Sequence, residues 1–216
     1  MFLLRKSLFT IFIILFIDQV LKIWIKTNLF LYQDIYVLGD WFIIKFIENN
    51  GMAFGIDLPG NYGKLMLTIF RILAAIGIIY YLRILIKQKV HQGLIIAISM
   101  ILAGAVGNII DSAFYGMIFS ESSPYAKAVM FPSGGGYSSF LHGKVVDMFY
   151  FPVLRGSWPD WIPFKGGQSF EFFRPVFNIA DSSITIGVFM IMIFQKKYFG
   201  MEESKEEDKV AESETM

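Results

Sequence analysis

The chain has 216 residues, 55% of them hydrophobic and 17% aromatic. This is too apolar for an ordinary soluble domain and points to one integral membrane domain. A formal net charge of +1 hides an asymmetry, because the last sixteen residues hold seven acids and two lysines, leaving 17 basic and 11 acidic residues in the body; the absence of cysteine excludes disulfides, thiolate metal ligands and cysteine nucleophiles.

Four apolar stretches are long enough for the ~20 residues a helix needs to cross a bilayer. The first covers residues 7–25. Arg5 and Lys6 before it resemble the start of a signal peptide, but no small-residue cleavage site follows and Asp18 and Lys22 interrupt the run, so an uncleaved span is expected. Asp18 and Lys22, spaced i, i+4, are expected to neutralise one another as a structural pair. Residues 27–63 contain IYVLGDWFIIKFIENNGMAFGI, whose β-branched and aromatic residues around Gly39-Asp40 predict a hairpin or small sheet on the membrane surface. Its stretch from Asn49 to Gly55 either holds an extended peptide through backbone hydrogen bonds or is an ordinary Asn-Gly turn.

The second and third spans cover residues 65–86 and 93–116. Gly104 and Gly107 are expected to permit close helix packing. Asn108 and Asp111 follow, then a long outer segment, residues 117–174, with the run SGGGYSS, several prolines, and Trp158 and Trp161, which suit the membrane interface. Gly134 to Gly136 are not a phosphate loop, because no lysine and helix start follow. The island GKVVDMFYFPVL is expected to dip toward a site and carry Asp147 there. The fourth span, residues 175–194, opens with Asn178 and Asp181. Residues 201–216 are expected to form a disordered, acidic, cytoplasmic tail beyond a membrane domain of residues 1–200. His91 and His142 lack ligand spacing, and no metal, cofactor or nucleic acid is expected.

Basic clusters at Arg5 and Lys6, at Arg83, Lys87 and Lys89, and at Lys196 and Lys197 fall on one side of a four-span chain. The positive-inside rule makes that side the cytoplasm, with both termini inside. Asp18, Lys22, Asn108, Asp111, Asn178 and Asp181 then converge at one depth, just beneath the outer surface. A carboxylate at membrane depth costs roughly 2.5–3.5 kcal/mol on insertion scales and usually marks function. Asp147 and Asp181 are the acids to which chemistry is assigned. Two carboxylates held close in a dry site share a proton, so one takes a proton from water while the other donates to the scissile carbonyl or leaving amine. Alternatively, each acid merely caps a helix or pairs with a lysine. Ser112, Ser182 or Ser183 with Lys22 or Lys144 is a minor nucleophile option, with no spacing that singles one out.

Five motifs occur in order: Asp18-x-x-x-Lys22, Asn49-x-Gly51-x-Ala53-Phe54, Gly107-Asn108-x-x-Asp111, Val145-Val146-Asp147-Met148-Phe149, and Phe177-Asn178-x-Ala180-Asp181. The series resembles lipoprotein signal peptidase, the bacterial signal peptidase II family, over all but the tail. The resemblance implies a four-helix polytopic membrane fold with a small extracytoplasmic β-cradle and a surface loop or helix, in the bacterial inner membrane. It implies an aspartic endopeptidase that removes the signal peptide of diacylglyceryl-modified prolipoproteins, cutting before the lipidated cysteine. It assigns Asp147 and Asp181 as the dyad, Asn49, Gly51, Asn108, Asp111, Asn178 and Ala180 as lining or supporting residues, and the cyclic peptide globomycin as an inhibitor. The chain departs from the family in two places. Ser112 stands where the family has arginine, with Lys144 or Arg174 as candidate substitutes. Residues 116–143 and 153–174 are also longer than the family's loops and are expected to enlarge an outer lid. The rival readings are a small proton-coupled carrier, whose acids would relay protons, and a non-catalytic lipid-binding scaffold.

Overall fold

The computed structural model describes residues 1–50, 61–152, 154–172 and 175–214. Its long helices are α1 (Phe2–Asn28), α2 (Asn61–Gln88), α3 (Gln92–Ile110) and α5 (Ile179–Glu214). After Ile110, α3 continues through a π-helical turn, Asp111–Tyr115, into the short α4, Gly116–Ile118. Four stretches are long and apolar enough to cross a membrane: Phe2–Asn28, Gly63–Gln88, Gln92–Ile118 and Ile179–Phe199. Each predicted span is present. Phe9, Phe12 and Phe16 of α1, Phe70 and Tyr80 of α2, and Phe189 and Met192 of α5 are exposed, an outward face suited to lipid rather than water. The most apolar stretch of α3 is 56% buried against 17% in the other three, so α3 is the internal helix.

Helix α5 starts at Ile179 and not at Pro175, because Val176 and Phe177 pair with Tyr150 and Phe149. At its other end, the backbone of residues 201–214 is helical where a disordered tail is expected. Glutamate, lysine, methionine and alanine are strong helix formers and continue the run.

The chain folds as two compact units. One comprises Met1–Gln19, Ile69–Ile109 and Ile179–Met216. Its core packs Leu82, Leu85, Leu94, Ile95, Leu102 and Tyr198. The helices approach closely at glycines. A Cβ on Gly104 would lie 2.2 Å from the Ala180 carbonyl oxygen, and one on Gly107 would lie 2.8 Å from Asp18 Oδ2 and 3.2 Å from the Ala180 Cβ. Both positions thus serve the packing role read from sequence. Gly104→Ala is expected to lower stability by about 1–3 kcal/mol through overpacking. Gly77→Ala, with nothing within 4 Å, should stabilise slightly because alanine is the better helix former. Thermal unfolding in detergent checks the contrast.

The other unit comprises Val20–Thr68 and Ile110–Asn178. It holds a four-stranded sheet in the order β1 (Asp34–Leu38), β2 (Phe42–Asn49), β3 (Val145–Tyr150), β6 (Val176–Phe177), and a separate hairpin of β4 (Leu154–Ser157) and β5 (Ser169–Phe172). The predicted hairpin is β1–β2, turning at Gly39 with φ +53°, a backbone that glycine adopts without steric cost. Ile25, Phe46, Tyr115, Phe119, Val146 and Met148 form the core. The glycine-rich stretch is tied down rather than loose. Tyr137 N–H donates to Phe119 O, Ser138 N–H to Gly116 O, and Gly143 N–H to Ser112 O, at 2.8–3.0 Å.

Candidate active site

Strand β3 carries Asp147, and antiparallel pairing sets Ile47 opposite it and Asn49 opposite Val145. Between Ile44 and Ile47, β2 advances three residues while β3 advances two. Such a bulge re-aims the residues beyond it. Asn49 Nδ2 donates to Asp147 Oδ2 at 3.2 Å, and Asn178 Nδ2 donates to Asp147 Oδ1 at 2.7 Å and to Val146 O at 3.3 Å. Each carboxyl oxygen therefore receives an amide donor. Asp147 and Asn178 are both buried, so these bonds offset the cost of removing the acid from water.

Asp111 stands behind this strand. Its Oδ2 accepts Val146 N–H at 3.3 Å and lies 2.8 Å from Lys22 Nζ, with both side chains fully buried. The lysine thus has an anionic partner on the π turn. Gly51 lies outside the described residues, as do Ala53, Phe54 and Arg174.

In the helical unit, Asn108 Nδ2 donates to Asp181 Oδ1 at 2.7 Å. Asp181 sits in the first turn of α5. The backbone N–H of Ala180, one of the orphan donors at that helix start, donates to Asp18 Oδ1 at 2.9 Å. Gln19 Nε2 bonds Asp18 Oδ2 at 3.2 Å and Gly107 O at 3.3 Å. Asp18 is fully buried.

Ser183 Oγ donates to Met100 O, and Ser112 O accepts Gly143 N–H. His91 Nδ1 accepts Gly93 N–H at the start of α3. Sequence reasoning missed a second buried network, in which Lys26 Nζ donates to Glu48 Oε1 and to Ser122 Oγ, and Ser122 Oγ donates to the same glutamate oxygen. The signal was present, since Lys26 follows Asp18 and Lys22 at the same spacing along one face of α1. Lys144, a candidate for the missing arginine, lies 3.3 Å from Glu48 Oε2. Tyr137 packs beside it, with its hydroxyl accepting Lys144 N–H at 2.6 Å. Burial pushes that hydroxyl well above its ordinary value, against the opposing Lys144 hydrogen bond.

The chain is similar to known proteins. The family profile described as signal peptidase (SPase) II matches residues 10–196. A lipoprotein signal peptidase of Porphyromonas gingivalis is 50% identical over 184 residues, covering 85% of this chain and 79% of the relative. One from Amoebophilus asiaticus is 41% identical over 180 residues, covering 82% and 72%. A solved bacterial membrane enzyme, determined by the in meso method at 1.9 Å, superposes with a TM-score of 0.57 at 28% identity, covering 88% of this chain and 91% of its own. The resemblance read from five motifs therefore holds along the whole apolar body, and the chain, a multi-pass membrane protein, belongs to the signal peptidase II family.

Proposed function

We propose that this chain removes the signal peptide from prolipoproteins by an aspartic mechanism, with Asp147 and Asp181 as the working pair. Family membership supplies the reaction, peptide hydrolysis. The observation that carries the mechanism is that each of these two acids is held by an asparagine amide: Asp147 by Asn49 and Asn178, Asp181 by Asn108. Asn178 lies only three residues before Asp181, so the group that orients one acid is joined by a short stretch of chain to the other.

In this mechanism one carboxylate takes a proton from water as the water attacks the scissile carbonyl. The other, carrying a proton, donates it to the carbonyl oxygen; as the tetrahedral intermediate collapses it takes that proton back, and the first acid passes the proton it took from water to the leaving amine. Asn108, Asn178 and Asn49 fix the acids' rotamers and stabilise their carboxylates by hydrogen bonding. Asp111 and Ala180 act through backbone contacts beside them, and Gly51 belongs to the same proposed lining. No nucleophilic side chain is required. Ser183, with its hydroxyl donated to a helix carbonyl, is engaged elsewhere, and membership of a peptidase family leaves the proton-carrier reading without support.

The proposed substrate is a diacylglyceryl-modified prolipoprotein, cut before the lipidated cysteine. Its acyl chains hold it in the membrane plane and raise its local concentration, so the peptide contacts need read only the residues around the cut. Globomycin is the proposed inhibitor, and the proposed setting is the bacterial inner membrane, with both termini cytoplasmic. With purified protein in detergent, the lipid-modified prolipoprotein should be cleaved before its cysteine and its unmodified form far more slowly. Equal rates for the two would remove the lipid from recognition, while leaving the aspartic pair untouched.

A further inference from the structure

We infer that Asp18 and Lys22, one helical turn apart on α1, are positioning residues for the two working carboxylates, each bracing one of them through a backbone amide. This rests on the proposed dyad of Asp147 and Asp181.

The first arm serves Asp181. A helix start leaves its first N–H groups without partners, and the residue before the helix usually caps one of them with its own side chain. Here that residue is Asn178, whose Nδ2 donates to Val146 O and Asp147 Oδ1. From α1, Asp18 accepts the Ala180 N–H. The bond is made to the residue immediately before Asp181, so it fixes where the first turn of α5 begins and hence where the Asp181 side chain leaves the backbone. A carboxylate also favours the positive end of the helix dipole. Gln19 and the missing side chain of Gly107 keep this brace in register, since a Cβ there would press on Asp18 Oδ2.

The second arm serves Asp147. Strand β3 pairs with β6 only at Phe149 and Tyr150. Val146 pairs with Glu48 of β2, but on the β6 side it has no strand partner among the described residues, and side chains fill the gap: Asp111 takes its N–H and Asn178 gives to its carbonyl. Lys22 holds Asp111 by the ion pair at 2.8 Å. Val146 is thereby pinned on both backbone atoms, immediately before Asp147. Each member of the α1 pair thus reaches away from its own helix, Asp18 directly to the Ala180 N–H and Lys22 through Asp111 to the Val146 N–H, each amide next to a working acid.

Misplacing a reacting group by about 1 Å can cost on the order of 10²-fold in rate. The test measures kcat, KM and thermal unfolding for Asp18→Leu, Asp18→Asn, the double variant Lys22→Met with Asp111→Leu, and Asp181→Asn as the control. Asp18→Leu and the double variant should each lose about 10- to 100-fold in kcat, with KM changed less than about twofold. Asp18→Asn keeps an oxygen able to accept the Ala180 N–H and should recover most of the loss. Wild-type kcat in folded Asp18→Leu, or in the folded double variant, would overturn the corresponding arm. If Asp18→Leu does not fold, Asp18→Asn decides, since an Asn variant as inactive as Asp181→Asn would contradict a role exercised through that one hydrogen bond. Activity in Asp181→Asn would instead sink the dyad reading itself, which separates the two failures.

Discussion

Asp181→Asn is expected to lose cleavage by about 10²–10⁴-fold, the range in which a positioned acid or base contributes, while unfolding at nearly the wild-type temperature. Asparagine keeps the size of aspartate and an oxygen for the Asn108 amide, which donates at 2.7 Å, so the packing around the first turn of α5 survives. What disappears is the proton. Asn108→Leu should cost less, because it removes the donor that orients Asp181 and leaves the carboxyl in place. Asp111→Asn should also impair cleavage less than either dyad substitution. Initial rates on a lipid-modified prolipoprotein, normalised to folded protein, give the order, and a fully active Asp181→Asn would remove that residue from the mechanism.

The second large effect is on stability. Lys22→Met is expected to destabilise the protein by about 3–5 kcal/mol, the cost of stranding one member of a buried ion pair. Lys22 and Asp111 are both fully buried at 2.8 Å, and the Asp111 carboxylate would be left with less compensation for its lost hydration. Adding Asp111→Leu to Lys22→Met should restore most of that stability, since replacing both charges by apolar groups of similar volume is often neutral. The double variant would then be stable yet slow, as the bracing role requires. Thermal or denaturant unfolding in detergent measures the cycle. A single Lys22→Met variant as stable as wild type would show that the pair carries no net stabilising role.

The four spans were legible because lipid demands long unbroken apolar runs, and little else in a sequence has that length. The β1–β2 hairpin was legible from Gly39 between two runs of β-branched and aromatic residues. Helix ends were less so. The start of α5 at Ile179 depends on Val176 and Phe177 pairing with β3, a contact with residues far away in sequence. The backbone of residues 201–214 depends on helix propensity, which a count of charges does not measure.

For the candidate residues, spacing identified which polar groups share a helix face but not what each one faces. Asn108 and Asp111 read as one N-x-x-D element. In the fold Asn108 bonds Asp181, whereas Asp111 bonds Val146 N–H and Lys22. Asn178 and Asp181 divide in the same way, with Asn178 serving Asp147. The change from α3 to a π turn at Asp111 has no strong sequence signal, and it separates the directions of Asn108 and Asp111. The pairing of Lys26 with Glu48 and Ser122 joins residues up to 96 apart in sequence, which no local pattern encodes.

The most direct measurement is cleavage of a diacylglyceryl-modified prolipoprotein by the purified wild-type protein beside Asp147→Asn, with the products identified by mass spectrometry. The account predicts a product beginning at the lipidated cysteine from the wild type and none from a folded Asp147→Asn variant. The same product at the same rate from both proteins would contradict it.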